Sequence, residues 1–219
     1  MSRNPKYFSV LESEKKYHIY NRCNDKEFLF RDDEDRYFFL DTFDAYLSPF
    51  LDVYCRNLLL NHFHFLVRMK SEEQCRDNLK FQRIKLPFEK KYVEGKISFE
   101  KLLELEFKRF FITYSIYYNA KYLRKGNLFN RPFKRLEIGT DSHFTEAVIY
   151  IHANALKHNL VKDFTLYPWS SWGELIGDQP TKLLRLELFE WFGGVENLIK
   201  AHHNFTEHYY STETAIELE

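Results

Sequence analysis

Glycine and proline are scarce in this 219-residue chain, at 7 and 6 residues. That scarcity excludes collagen-like, linker-rich and low-complexity architectures. Cysteine is equally sparse. Cys23, Cys55 and Cys75 are odd in number, far apart and without a CxxC pair. Such usage excludes a disulfide framework or a zinc knuckle and points to free thiols in a reducing compartment. Charge of one sign is absent as well, with 32 basic residues balancing 32 acidic ones. Global electrostatics therefore do not announce a nucleic-acid partner. No apolar run approaches the ~18–20 residues needed to span a bilayer. The start, Met1-Ser2-Arg3-Asn4-Pro5, lacks an apolar signal core, so the expectation is a cytoplasmic protein without a membrane partner.

Aromatic residues are what the chain has in excess, with 22 Phe and 15 Tyr against 3 Trp. Charge is also unevenly distributed. Between Lys108 and Arg135 every charged residue is basic: Lys108, Arg109, Lys121, Arg124, Lys125, Arg131, Lys134 and Arg135. Phe110, Phe111, Tyr114, Tyr117, Tyr118, Tyr122, Phe129 and Phe133 are interleaved with them. The acids collect elsewhere, notably in Asp32-Asp33-Glu34-Asp35. A basic aromatic segment fits contact with a phosphate backbone plus base stacking. It equally fits a solvated helix whose aromatics face a core.

Periodicity divides the chain into elements. Tyr17 to Arg22 alternates and reads as a strand, and Asp32 to Leu47 as a helix with acids at its start. Leu51 to Leu60 and His62 to Met69 read as two strands joined near Leu60–Asn61. Ser71 to Ile97 is polar and interrupted by Pro87 and Gly95, which suggests a loop with short helices. Ser98 to Tyr122 reads as a long helix, Asn130 to Ile138 as an irregular edge strand, and Thr140 to about Lys157 as a last core helix. The order strand–helix–strand–strand–helix–strand–helix predicts an α+β, ferredoxin-like (RRM-like) antiparallel sheet with helices packed on one face. A C-terminal helical extension follows it. The expected division is residues 1–172 as one domain and 173–219 as an extension docked on it.

The sharpest chemical signal is Asn61-His62-Phe63-His64-Phe65-Leu66-Val67. On a strand, His62 and His64 share one face, while Phe63 and Phe65 turn into a core. Two imidazoles on a rigid strand are two arms of a metal site. On the last core helix, Tyr150 and Asn154 lie one turn apart on a common face. A tyrosine, two histidines and a carboxamide suit phosphodiester cleavage: a nucleophile with a divalent cation, Mg²⁺ or Mn²⁺ with Zn²⁺ tolerated, to polarise the phosphate. Other histidines compete less well. His152 points away from the Tyr150 face, His158 shares that face two turns on but lies beyond the expected site, and His18 reads as a structural or substrate-near residue. His202, His203 and His208 read as solvated. Tyr114, Tyr117 and Tyr118 are alternative nucleophiles on a helix better suited to core and DNA-facing roles.

Four ordered blocks give a resemblance: Tyr17-His18-Ile19-Tyr20-Asn21-Arg22; Asn61 to Val67; Gly126-Asn127-Leu128-Phe129-Asn130-Arg131-Pro132-Phe133-Lys134; and Tyr150 to Asn154, followed by Leu160-Val161 and Tyr167-Pro168-Trp169-Ser170-Ser171. Over roughly residues 15–172 the chain resembles the single-tyrosine HUH transposases, closest to the REP-associated branch. The resemblance implies recognition of single-stranded or hairpin DNA, cleavage through a 5′-phosphotyrosine and a nucleoid-associated location; many relatives are dimers, which makes a homodimer an open alternative to a monomer. It places the nucleophile on Tyr150 and the metal ligands on His62, His64 and Asn154, where many relatives carry Gln. The expected DNA contacts are Arg22, Lys121, Arg124, Lys125, Arg131, Lys134 and Arg135. Departures from the pattern are Leu60 in place of Pro, Ala155-Leu156 in place of Pro-Val, and the added Pro132. A DNA-binding regulator without catalysis, or a metal-dependent phosphodiesterase using water, are the alternative readings.

Overall fold

The computed structural model describes residues 7–24, 27–81, 85–130 and 132–211, with side chains as far as residue 206. Four strands, β1 (Lys16–Arg22), β2 (Leu51–Leu58), β3 (His62–Met69) and β4 (Lys134–Glu137), form one sheet in the order β2-β3-β1-β4. All neighbouring pairs are antiparallel. With α1 (Asp33–Leu47) after β1 and α4 (Phe99–Lys121) before β4, this is the expected ferredoxin-like topology. The Ser71 to Ile97 stretch holds two short helices, α2 (Glu72–Phe81) and α3 (Pro87–Val93).

Strand alternation builds two cores. Tyr17, Ile19, Phe63, Phe65 and Val67 face α1 and α4, meeting Phe39, Phe43, Phe107, Phe110 and Tyr114. Each fully buried ring contributes ~1.5–3 kcal/mol, and the Phe43–Phe65 stack at 4.2 Å is one of many such contacts. Local signals start the helices where the sequence places them. The Asp32 side chain caps α1, accepting from the Asp35 amide at 3.0 Å. Ser98 caps α4 at the Lys101 amide, 3.2 Å away.

The opposite sheet face is covered by α5 (Asp141–Lys157), whose Phe144, Val148 and Ile151 pack with Tyr54, Cys55 and Leu66. This helix therefore lies across the sheet from α1 and α4. A bulge between Val53 and Cys55 turns two consecutive β2 residues, Tyr54 and Cys55, into this second core. Beyond a 3-10 turn at Phe164–Leu166 come α6 (Trp172–Ile176), α7 (Arg185–Phe192) and α8 (Val195–Ser211). Leu175, Leu188 and Leu198 join the α5 core. The Trp169-Ser170-Ser171 segment runs along the outer edge of β2: Leu58 N–H donates to Trp169 O at 3.1 Å and Ser171 N–H to Arg56 O at 2.9 Å. The edge strand is thus covered by the chain itself. Among the described residues no helix is long and apolar enough to cross a membrane.

Candidate functional site

The register of three strands decides what meets on the α5 face. His64 lies opposite Tyr20 on β1 and opposite Asn57 on β2, while His62 lies opposite Arg22. With period-two alternation, His18, Tyr20, His62, His64 and Asn57 share this face. The rings form a continuous layer. His18 stacks on Tyr20 at 4.7 Å and on His64 at 5.1 Å, and the His62 and His64 centroids are 5.0 Å apart.

Helix α5 lays a stripe of side chains over that layer. The Tyr150 ring stands edge-on to His64 at 5.8 Å and to His18 at 6.1 Å. Two turns on, the His158 ring meets His62 at 4.7 Å. Asn154, four residues from each, is the middle member of the stripe and is fully buried. The structure therefore brings Tyr150, His62, His64 and Asn154 together at one sheet–helix interface. It also corrects the placement of His158, which packs on His62 rather than beyond the site.

Hydrogen bonding fixes which nitrogen of each imidazole is left as a lone-pair donor. His62 Nδ1 is 2.6 Å from Asn61 Oδ1, an acceptor, so the ring hydrogen sits on Nδ1 and the lone pair on Nε2. His64 Nδ1 is 2.8 Å from His18 Nε2, and donation from His64 leaves its Nε2 basic in the same way. Burial, with the charges of His62, His18, His158 and Lys157, holds His64 well below the usual imidazole range. It stays neutral, the state a metal ligand needs. The test of fit is the leftover hydrogen-bonding capacity. His64 Nε2 and both amide atoms of Asn154 are buried and make no hydrogen bond among the described residues. Such orphans are rare and costly in a finished core, and two imidazole nitrogens with a carboxamide oxygen suit Mg²⁺, Mn²⁺ or Zn²⁺. No group of three His, Cys, Asp or Glu among the described residues forms a metal cluster; the set here depends on the amide.

The expected DNA-contacting cations separate into distinct environments. Arg22 and Lys134 line a cavity of about 160 Å³ with Tyr20, Asn21 and His62, and the Lys134 ammonium sits 5.0 Å over the Tyr20 ring. Lys121 instead bridges Asp32 and Glu34 at 2.9 Å and Asp35 at 3.0 Å. Burial would lower its pKa, but the carboxylate and Tyr117 hydrogen bonds raise it. Arg124 is held by Glu27 at 2.7 Å. Arg135 donates to Ser9 O at 2.6 Å, and burial lowers its pKa. Lys125 is exposed, and Arg131 lies outside the described residues.

The competing tyrosines are elsewhere. Tyr114 donates to Leu29 O at 2.7 Å, Tyr118 donates to Phe28 O, and Tyr117 stacks on Phe38 at 3.9 Å, all on the α1/α4 side. The solvated reading of His202 is overturned. It is fully buried, its Nε2 lies 3.0 Å from His152 Nδ1, and its Nδ1 donates to Leu198 O across 2.8 Å; burial pushes its pKa down to about 4. His203 is exposed, and the His208 side chain lies outside the described residues. Residues missed as site members are Asn61, Asn57 and Lys157. Asn57 donates to Ile151 O at 2.8 Å, pinning α5 against β2 beside His64. The Lys157 ammonium lies 5.2 Å over the Tyr150 ring. Their only sequence signal was adjacency to the motif for Asn61 and the seven-residue helical spacing from Tyr150 for Lys157.

An α+β domain with an HxH strand facing a tyrosine-bearing helix is the class these observations define. Among solved structures, the fold matches that of a REP-associated tyrosine transposase bound to a REP hairpin, with a TM-score of 0.51. The match covers 83% of this chain and 90% of that one at 15% sequence identity, a likeness of fold. No family model and no curated protein matches the sequence.

Proposed function

We propose that this protein cleaves and rejoins single-stranded DNA near a hairpin, with Tyr150 as nucleophile. His62, His64 and Asn154 would hold a divalent cation, Mg²⁺ or Mn²⁺. The observation that carries the reading is the Tyr150 ring set against His64 and His18, beside His64 Nε2 and the Asn154 amide, buried atoms without a hydrogen bond among the described residues. The shared fold and the four sequence blocks support it.

In this reading the Tyr150 oxygen attacks phosphorus as the bond to the 3′ oxygen breaks. The phenolic proton is balanced by the proton the leaving 3′ hydroxyl gains, and Tyr150 keeps the 5′ phosphate as an ester. Attack by a 3′ hydroxyl reverses the step, so rejoining needs no ATP. Bound at these residues, the cation would polarise the phosphate oxygens and offset developing charge. His18 and Asn61 hold the two imidazoles in orientation. The Lys157 ammonium, 5.2 Å over the Tyr150 ring, places a cation beside the nucleophile, and Arg22 and Lys134 flank the cavity that opens on His62, where a phosphate backbone can lie.

Incubation with single-stranded DNA from the flanks of the protein's own gene tests this. A covalent DNA–peptide adduct on Tyr150 is expected by mass spectrometry, absent in Tyr150→Phe. An adduct on Tyr114, Tyr117 or Tyr118 would refute the choice of tyrosine. Cleavage without an adduct would favour a water-using phosphodiesterase, and binding without cleavage a regulator.

A further inference from the structure

The basic aromatic segment is only partly explained by the site. Lys121, Arg124 and Arg135 are committed to Asp32, Glu34, Asp35, Glu27 and a backbone carbonyl. Its remaining part surrounds a cavity of about 470 Å³ between α4 and the loop that precedes β4. That volume is within the range of small-molecule sites. Three of its walls are rings: Phe111 lies 4.9 Å from Phe129 and 5.3 Å from Phe133. Ile112 and Ile116 are 40% and 65% exposed at the mouth. The rim is polar without being strongly charged. Asn127 and Asn130 are exposed and make no side-chain hydrogen bond among the described residues, and Lys108 is exposed while its neighbour Glu104 pairs with Lys101 at 3.1 Å.

The cavity does not stand alone. Asn21, Asn130 and Pro132 line both it and the smaller cavity that contains His62, Arg22 and Lys134. The two share a wall, so a chain that runs past Arg22 and Lys134 has a neighbouring slot for one of its side groups. An occupant with a flat π-face, an edge able to bond to carboxamides and an attached anion matches aromatic walls, Asn127 and Asn130, and Lys108. A nucleotide has all three. A lipid chain has no comparable use for the carboxamide rim, and a neutral peptide has none for Lys108 here and Arg22 and Lys134 in the adjoining cavity.

We propose that this cavity is a base-binding subsite: it takes one unstacked nucleobase of the strand whose phosphate lies at His62. Phe111 and Phe133 provide the stacking surface, Asn127 and Asn130 bond to the base edge, and Lys108 meets the adjoining phosphate. The subsite rests on the single-stranded DNA reading above and adds to it a fixed distance between one recognised base and the cut. Stacking of a base on an aromatic side chain is worth enough that its loss weakens binding by roughly tenfold.

The experiment uses the full chain and the same gene-flank DNA, with thymines replaced one at a time by 5-iodouracil. Irradiation joins a stacked iodouracil to an aromatic side chain, and peptide mapping locates the bond. The expected result is a crosslink to Phe111, Phe129 or Phe133 from one position, at a constant spacing from the cut. In Ser115→Phe, where the added ring fills the cavity, that crosslink should vanish and affinity fall about tenfold. An abasic nucleotide at the same position should remove the penalty of the substitution. Crosslinks confined to other surfaces would overturn the subsite, and the wild-type map decides even if Ser115→Phe does not fold. The Tyr150 adduct is read in the same samples. An adduct without a cavity crosslink sinks the subsite and spares the cleavage reading. A cavity crosslink without an adduct does the reverse. Absence of both sinks both.

Discussion

Asn154→Leu separates a ligand from a structural amide through stability alone. Asn154 is fully buried, and neither amide atom has a hydrogen-bond partner among the described residues. An unsatisfied buried polar atom costs ~1–3 kcal/mol, so a leucine of similar shape should stabilise the metal-free protein by ~1–3 kcal/mol. For a domain of this size each kcal/mol moves Tm by ~2–4 °C, a rise of several degrees in EDTA. Manganese should reverse the order. At ~100 times its dissociation constant, a ligand that binds only the folded state adds ~2.7 kcal/mol, which the wild type gains and the variant largely loses. Thermal unfolding of both proteins in EDTA and in a MnCl₂ series reads the crossing. A variant less stable than wild type in EDTA would show that Asn154 supports the fold. A wild-type Tm indifferent to millimolar Mg²⁺ and Mn²⁺ would refute the metal site.

Charge and pH provide further checks. Neutralising Arg22 or Lys134 should flatten the slope of log affinity against log salt by about one unit each. Lys121→Met should leave that slope unchanged and lower stability, because Asp35 is buried against the ammonium; a slope change on Lys121→Met alone would relocate the DNA track. Buried Glu106 lies 2.9 Å from Arg109, which also approaches Glu89 at 3.8 Å. Burial pushes Glu106 up to about 8 from 4.5, with Arg109 opposing and Glu89 adding to the shift. A raised folded pKa means its stabilising contribution is full below about pH 4.5 and is lost as pH rises through about 8. Stability should therefore fall across that window by on the order of a few kcal/mol. Urea titrations from pH 5 to 9 should show a flatter profile for Glu106→Gln, and an equally steep one would assign the slope to other groups.

Much of this protein is decided by local rules that a sequence states directly. Strand period two puts His62 and His64 on one face and Phe63 and Phe65 on the other, whatever the rest of the fold does. Helical spacing pairs Tyr150 with Asn154. Asp32, Ser98 and Thr140 cap helices because their side chains reach amides only three residues away. Element order then leaves few topologies, and the four-stranded arrangement is one of them.

Tertiary structure decided what depends on partners distant in the chain. Lys121 looked like a DNA contact because its neighbours are basic, yet its carboxylates come from α1, almost ninety residues earlier. His202 looked solvated because its local pattern is polar. Only the docking of α8 on α5 buries it against His152. The position of His158 over His62 required the axis of α5 relative to β3, which periodicity within the helix does not contain. The β2 bulge, which turns Tyr54 and Cys55 to the same side, broke the alternation that sequence reading relies on. Local patterns report the direction of a side chain on its own element. Which charge it meets, and whether water reaches it, depends on long-range packing that no window of sequence holds.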